Sequence, residues 1–313
     1  MQSTVKNKPN PKKKKRLSPE AMLKEHGVHY LMLLPLLLCL FIFSYMPMAG
    51  ISYAFTDYSP FRSDFNFVGF DNFKTLFSTA GFWLAFKNTL QISLVRIVLI
   101  MLGSIGLALL LDELNSKWFR KLTQTVVYIP HFLSWVVVAS VFTIFLSPKT
   151  GMVNSMISAL GGKPIYFLAN KSWWRACLYV ISLWKEIGWG TIIYVAALSN
   201  VDMDQHEAAI IDGASRIKRI FYITLPAISG TIMVVFILNL AKTLNLFDPV
   251  WVLQNPMVIG VSDVIETYVY RMGIESSQYG VSTAAGLFKS VISVFLVMMG
   301  NKVSKAVTGE RVI

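Results

Sequence analysis

The chain has 313 residues, of which 54% are hydrophobic and only 15% are charged. A soluble domain of this length does not need so apolar a sequence for its core, so the composition predicts a polytopic membrane protein. A net charge of +12 would suit a nucleic-acid-binding protein, but the positions of the basic residues argue against nucleic acid as a partner.

The N-terminal segment is a basic leader. Lys and Arg occupy every position of 12–16 in a stretch too polar to fold by itself, and such a run suits the anionic cytoplasmic face of a membrane. Ser18, Pro19 and Glu20 are typical of a helix start. We therefore predict a basic cytoplasmic leader and a short interfacial helix over 1–27, and we expect the first apolar run to be a full span rather than a cleavable signal.

Apolar runs long enough to cross about 30 Å of hydrocarbon fill most of the remaining chain. They predict an all-α, polytopic bundle of six transmembrane helices over 28–305, followed by a cytoplasmic tail at 306–313. The runs are 30–53, 88–111, 126–146, 176–198, 231–250 and 284–303. Loops on the leader's side hold more Lys and Arg than the other loops, which predicts that both termini and the loop at 199–230 are cytoplasmic.

The loop at 199–230 is the most informative polar segment. It contains a stretch rich in small residues at 207–214, then a basic rim, and it ends near Pro226 before the fifth apolar run. Alanine favours helix, Gly213 allows the backbone to turn, and Pro226 stops a preceding helix. The sequence therefore predicts a short helix, a bend and a second helix that leads into the next span.

Three blocks of this loop lie in register: Glu-Ala-Ala at 207–209, Asp-Gly-Ala at 212–214 and Ile-Thr-Leu-Pro at 223–226. At this spacing the loop resembles the EAA loop of the membrane subunits of binding-protein-dependent ABC importers, in the carbohydrate-uptake branch. Further segments that are similar to the sugar-type permeases are 68–73, 88–89, 128–130 and 151–154. The resemblance extends from about residue 30 to about residue 305.

The resemblance implies a type I ABC importer permease-like bundle, and a transport subunit rather than an enzyme. It also implies that the loop docks in a cleft of a separate ATPase and couples the two proteins. The implied coupling residues are Glu207, Ala208, Ala209, Asp212, Gly213, Ala214, Arg216, Leu225 and Pro226. The implied partners are a second permease, an ATPase dimer that binds ATP and Mg, an extracytoplasmic solute-binding protein, membrane lipid and a carbohydrate. The implied location is the bacterial cytoplasmic membrane.

No cofactor is expected in this chain itself. The sequence lacks the Gly-x-x-x-x-Gly-Lys-Ser/Thr phosphate-binding motif, so ATP would be bound by the partner. Its histidines lack metal-ligand spacing and a nearby nucleophile. Cys39 and Cys177 both fall in apolar runs, so we expect neither a disulfide framework nor a metal site.

Charged residues inside the apolar runs indicate a polar passage. A charge at depth costs about 3 kcal/mol on insertion scales, so such residues face a cavity, a subunit seam or a partner charge. They are Arg96, Lys185, Glu186, Lys242 and Lys289. A spacing of three residues also predicts that one face of the fifth helix carries Asn239, Lys242, Asn245 and Asp248.

Tryptophan rings can stack on sugar rings, and polar side chains can bond sugar hydroxyls. The predicted passage therefore comprises Trp184, Lys185, Glu186, Trp189, Asn239, Lys242 and Asn245. Each has an alternative: the tryptophans could be packing or interfacial belt residues, Lys185 and Glu186 could neutralise each other or a partner subunit, and the polar face could meet a second permease. Lys289 could extend outward to water.

The cations inside the membrane outnumber the acids, for which the sequence offers Glu186 and a peripheral Asp248. We therefore expect a partner's carboxylates, or an acidic or heavily hydroxylated oligosaccharide, to compensate them. The function predicted is a permease subunit that passes an oligosaccharide or related carbohydrate to the cytoplasm by alternating access. The alternatives are an importer of a non-sugar solute and a self-contained secondary transporter, for which the sequence shows neither internal symmetry nor broken helices.

Overall fold

A computed structural model describes residues 19–62 and 64–309, without the side chains of 19–26 and Val307. The described chain is helical, and its β pairing is confined to one antiparallel bridge between Thr56 and Phe67. The predicted all-α class is therefore confirmed. The described residues divide between Ile51 and Ser52 into two units.

The described part of the first unit is a single helical segment, which continues past Ile51 as far as Phe55. Helix α1 runs over Pro19–Leu40 and continues as a π-helical turn at Phe41–Tyr45 and a 3₁₀ helix at Met46–Phe55. The short helix predicted at Pro19 is instead the start of this longer one, because good helix formers lead directly into the apolar run and a lone glycine, Gly27, does not end a helix. That its first turns lie at the membrane interface stays a prediction. Ser18 and the basic run at 12–16 lie outside the described residues.

The second unit contains the remaining helices. In chain order they are α2 Asp71–Ser78, α3 Ala80–Asp112, α4 Lys117–Tyr128, α5 Trp135–Phe145, α6 Met152–Ala159, α7 Lys171–Leu198, α8 Met203–Ile211, α9 Arg216–Arg219, α10 Leu225–Ala227, α11 Ser229–Lys242, α12 Phe247–Leu253, α13 Ile259–Ser262, α14 Ile265–Tyr270 and α15 Tyr279–Thr308. Short 3₁₀ or π-helical segments lie between some of them, at Ile129–Phe132, Phe167–Ala169, Ile220–Thr224 and Arg271–Glu275.

Within the described parts of the chain, 3 helical stretches are long and apolar enough to cross a membrane, and two bent helix pairs raise this number to 5. Helix α7 is also long enough, since its 28 residues extend about 42 Å. Lys185 and Glu186 interrupt its apolar sequence. With α7 included, these helices account for the six predicted spans.

Two predicted spans are not straight helices. The third run turns by 102° between its halves, where Pro130 lies in a 3₁₀ turn and Ser134 caps α5. In the fifth run, α11 ends at Lys242 and a new helix begins at Phe247. The prediction of continuous helices was wrong here, because hydropathy measures how apolar a segment is and not whether its axis is straight.

Helix α3 packs along α7, and glycines permit the close approach. A Cβ atom at Gly190 would overlap the Ser104 hydroxyl, and one at Gly188 would overlap the Val127 carbonyl oxygen where α4 crosses α7. Near the start of α7, Trp174 is fully buried and donates its indole N–H to the Leu253 carbonyl at 3.0 Å. Helix α7 is therefore held from both sides, which fixes the direction of its polar side chains.

Gly188→Ala should lower the thermal stability of the protein in detergent. The added methyl meets a backbone oxygen, which cannot rotate away, so we expect a cost of about 1–3 kcal/mol. The matched control is Gly106→Ala on α3, where an added Cβ meets no atom within 4 Å and helix propensity should raise stability by about 0.5–1 kcal/mol. Equal melting temperatures for the two variants would contradict this packing.

Candidate functional site

A central cavity of about 280 Å³ lies between α3, α7 and the end of α11. Two isoleucines, Ile97 and Ile100, form its apolar wall. Its polar lining consists of Ser93, Arg96, Glu186, Asn239, Lys242, Thr243 and Asn245. The structure thus brings together four of the predicted passage residues, Glu186, Asn239, Lys242 and Asn245, from different parts of the chain.

Two of the charges in the central cavity neutralise each other. Arg96 of α3 forms an ion pair with Glu186 of α7, and the two side chains are 17% and 26% exposed. The alternative in which Lys185 pairs with Glu186 is wrong, because consecutive residues on a helix point about 100° apart. Lys185 is buried instead, and it donates to the His131 carbonyl at 2.7 Å.

Lys242 supplies the remaining charge of the central cavity. No described residue forms a hydrogen bond or an ion pair with its ammonium group. Since Arg96 is committed to Glu186, the lining has one positive charge in excess. An anionic group that entered the cavity would therefore meet a cation without first breaking an ion pair.

A smaller cavity of about 200 Å³ adjoins the central one and shares Ile100, Glu186, Asn239 and Lys242 with it. Trp189 lines this second space, and its ring stacks on His131 with centroids 4.5 Å apart. Trp184 lines neither cavity and contacts Phe142 at 5.3 Å. The structure therefore supports a cavity position for Trp189 and the packing alternative for Trp184.

The predicted polar face of the fifth helix is only partly present. Asn239 and Lys242 lie on α11, whereas Asn245 follows the end of that helix and Asp248 lies in the first turn of α12. The prediction that all four share one helix face is wrong, because the helix breaks between them. Asn245 nevertheless reaches the central cavity.

Sequence reasoning missed the acid that compensates Lys289, and it also missed an ion pair within the loop that precedes the sixth apolar run. Lys289 pairs with Glu266 at 2.7 Å rather than extending to water, and Arg271 pairs with Asp263 at 2.6 Å. Both acids belong to the loop at 251–283, predicted to lie outside the membrane between the fifth and sixth apolar runs, and this loop folds back against α3: Asn88 donates to the Asp263 carbonyl at 3.0 Å. The length of a loop does not show what it packs against, so these ion pairs were missed. The apolar residues of α14 nevertheless indicated that the loop packs against the bundle.

The loop at 199–230 has the predicted order of helix, bend and helix. Helix α8 ends in a Schellman motif, in which Ala214 N–H bonds the Ala209 carbonyl at 2.8 Å and Gly213 N–H bonds the Ile210 carbonyl at 3.0 Å. Gly213 has φ +77°, a left-handed conformation that side chains with a Cβ disfavour. Ser215 then caps α9.

The predicted coupling residues are placed on this frame. Glu207, Ala208 and Ala209 lie on α8; Asp212, Gly213 and Ala214 form the bend; Arg216 begins α9; Leu225 and Pro226 lie in α10. Pro226 does not end the preceding helix as predicted, since a helical turn includes it and the axis bends by 64° only after Ala227.

The loop presents a largely exposed surface. Glu207 is exposed, and Ile211 and Tyr222 are 86% and 80% exposed. An ion pair also joins the loop to the end of α3, because Arg216 lies 3.4 Å from the carboxylate of Glu113, the residue that follows this helix. An exposed apolar and charged surface at the end of a helical bundle suits contact with another protein.

Cys39 and Cys177 are both free thiols. Across the described ranges, no group of three His, Cys, Asp or Glu side chains could hold a metal ion. That this chain carries no metal or cofactor stays a prediction.

Residues 104–309 match the family described as binding-protein-dependent transport system inner membrane component. The chain belongs to this family. Protein LplB of Bacillus subtilis (strain 168) is 42% identical to it over 93% of this chain and 92% of LplB. The polygalacturonan/rhamnogalacturonan transport system permease protein YteP of the same organism is 40% identical over 94% of this chain and 92% of YteP.

A solved structure extends the similarity to three dimensions. It is a chain of a bacterial ABC transporter involved in the import of the acidic polysaccharide alginate, with a TM-score of 0.84, 39% sequence identity, and coverage of 91% of this chain and 98% of that one. The inner membrane component described here is thus an ABC transport permease and a multi-pass membrane protein, not a member of a catalytic enzyme family. Family membership, rather than helix continuity, decides against a self-contained secondary transporter, since broken helices are in fact present.

Proposed function

We propose that this permease forms one half of the membrane pore of an ATP-driven importer for oligosaccharides, acidic ones in particular. The observation that carries the proposal is the central cavity, where amide and hydroxyl groups surround an ion pair and an additional cation, Lys242. Amides and hydroxyls bond sugar hydroxyls, and a lysine without a partner attracts a carboxylate.

The names of the similar proteins support the same class of substrate. YteP is described as a transporter of polygalacturonan and rhamnogalacturonan, and the solved transporter as an importer of the acidic polysaccharide alginate. At about 40% identity over nearly the whole chain, this permease is expected to retain a related passage. A non-sugar anion is the alternative, because the same cation would attract it.

The mechanism proposed is alternating access driven from the loop at 207–226. An ATPase dimer that binds ATP and Mg would hold this loop, a second permease would complete the pore, and a solute-binding protein would deliver the oligosaccharide from outside. The family description, binding-protein-dependent, supports the last of these. The distribution of Lys and Arg supports cytoplasmic termini, and the family description, an inner membrane component, supports a place in the bacterial cytoplasmic membrane.

Reconstitution into lipid vesicles tests the proposal. The purified single chain is expected neither to hydrolyse ATP nor to transport, because it has no phosphate-binding motif. Assembled with the second permease, the ATPase and a binding protein loaded with acidic oligosaccharide, it should transport that sugar with ATP. ATPase activity in the single chain, or an assembled complex that ignores every oligosaccharide, would overturn the proposal.

A further inference from the structure

A third cavity, of about 400 Å³, lies between α12, α14 and α15 and belongs to neither cavity described above. We call it the aromatic cavity, because three of its lining residues are Phe247, Tyr270 and Tyr279. Glu266 and Lys289 are the charged residues of its lining, and Ser282 adds a hydroxyl group. Mainly apolar walls with a few fixed polar groups are typical of a small-molecule site.

The aromatic wall is held in place by its own packing. Trp251 stacks on Phe247 at 5.3 Å between centroids and meets the Tyr270 ring at 4.7 Å, while Phe247 and Tyr270 lie 5.4 Å apart. Rings supported in this way keep one orientation. They offer a rigid surface to the C–H face of a sugar ring at little cost in side-chain entropy.

The polar part of the aromatic cavity is electrically neutral. Glu266 and Lys289 form an ion pair at 2.7 Å, with side chains 20% and 21% exposed. Glu266 also accepts the Phe247 backbone N–H at 2.6 Å. Because the two charges cancel, this cavity has no requirement for an anion, in contrast to the central cavity with its additional Lys242.

One hydrogen bond joins the aromatic and central cavities. Lys289, which lines the aromatic cavity, donates to Asn245, which lines the central cavity, at 3.0 Å. The two linings therefore touch at this pair of side chains, an arrangement that neighbouring units of one linear ligand need if they are to occupy both spaces. Both side chains end in groups that bond hydroxyls.

We propose that the aromatic cavity is a second carbohydrate subsite, which binds one sugar ring by its apolar face while the adjoining unit of the same oligosaccharide lies in the central cavity. This rests on the proposed function. The aromatic subsite binds charged and uncharged sugar units alike, and the central cavity selects the carboxylate.

Gly286 allows a test by filling the space. It lines the aromatic cavity, and an added Cβ there meets no atom within 4 Å. In the reconstituted complex, Gly286→Leu should reduce oligosaccharide uptake about tenfold or more. The loss should be equal for an acidic oligosaccharide and for its carboxyl-reduced form. Gly106→Leu on α3 is the control, since Gly106 also has open space and lines none of these cavities; it should transport normally.

A second measurement asks whether the cavity is open to water and sugar. Gly286→Cys, combined with Cys39→Ser because Cys39 is exposed and Cys177 is buried, should react with a charged, membrane-impermeant thiol reagent. Binding protein loaded with oligosaccharide should slow the reaction when ATP is present.

Three results would overturn the subsite: normal uptake by Gly286→Leu, no reaction at Gly286→Cys, or failure of the Gly286→Leu complex to assemble. The last would mean that the partner permease fills the cavity. Failure of the proposed function is distinguishable, because the unaltered complex would then import no oligosaccharide, and the subsite would fall with it.

Discussion

Gly213→Val is expected to abolish uptake while leaving membrane insertion intact. Gly213 has φ +77°, and a β-branched residue in this region is a strong outlier that costs at least about 1–2 kcal/mol. No atom lies within 4 Å of an added Cβ, so the backbone alone is affected. The bend that sets α8 against α9 must open, and the surface offered to the ATPase changes shape.

The measurement is ATP-driven uptake by the reconstituted complex, together with the amount of ATPase that co-purifies. Gly161→Val is a matched control, because Gly161 has φ +80° and equally open space but lies in a different loop. The Gly161→Val variant should lose about the same backbone free energy, and its complex should still transport. Normal uptake by Gly213→Val, or equal losses in both variants, would show that the bend does not couple the two proteins.

Glu207→Lys probes the same surface without backbone strain. Glu207 is exposed on α8, so reversing its charge should leave the stability of this chain almost unchanged. We expect ATPase recruitment and uptake to fall together. If uptake stays normal while the ATPase is bound as before, Glu207 is not part of the docking surface.

The sequence sufficed for the parts of the fold that depend on apolar composition and local backbone chemistry. The apolar runs predicted the spans, and glycine at position 213 predicted the bend, because a left-handed residue is needed to end α8 in this way. The breaks at Pro130 and after Lys242 were missed, since a window average does not register where a helix axis turns.

For the candidate site, the sequence also predicted which residues face a cavity but not which partners they meet. Charges and amides in apolar runs had to face a cavity, and four of the predicted residues do line one. Their partners were not predictable, because Arg96 meets Glu186 and Lys289 meets Glu266 only through tertiary packing. The aromatic cavity forms because the loop that carries Glu266 and Tyr270 folds back against α15, and no sequence pattern predicts that contact.

Lys242→Met should reduce uptake of an acidic oligosaccharide far more than uptake of its carboxyl-reduced form. Methionine fills similar space without charge, so the change removes a single charge-assisted hydrogen bond to the carboxylate. Such a bond contributes about 1.5–3 kcal/mol, which corresponds to about a 10- to 100-fold loss. The Arg96–Glu186 ion pair remains intact, so assembly and basal ATPase activity should not change.

Lys87→Met is the matched control, since Lys87 is an exposed lysine of α3 that lines none of the three cavities. It should import both oligosaccharides as the unaltered complex does. Equal losses for the acidic and the reduced sugar in Lys242→Met would mean that Lys242 packs in the passage without binding the carboxylate. A complex that separates on purification would instead place Lys242 at the seam with the second permease, where a carboxylate of that subunit would supply the missing negative charge.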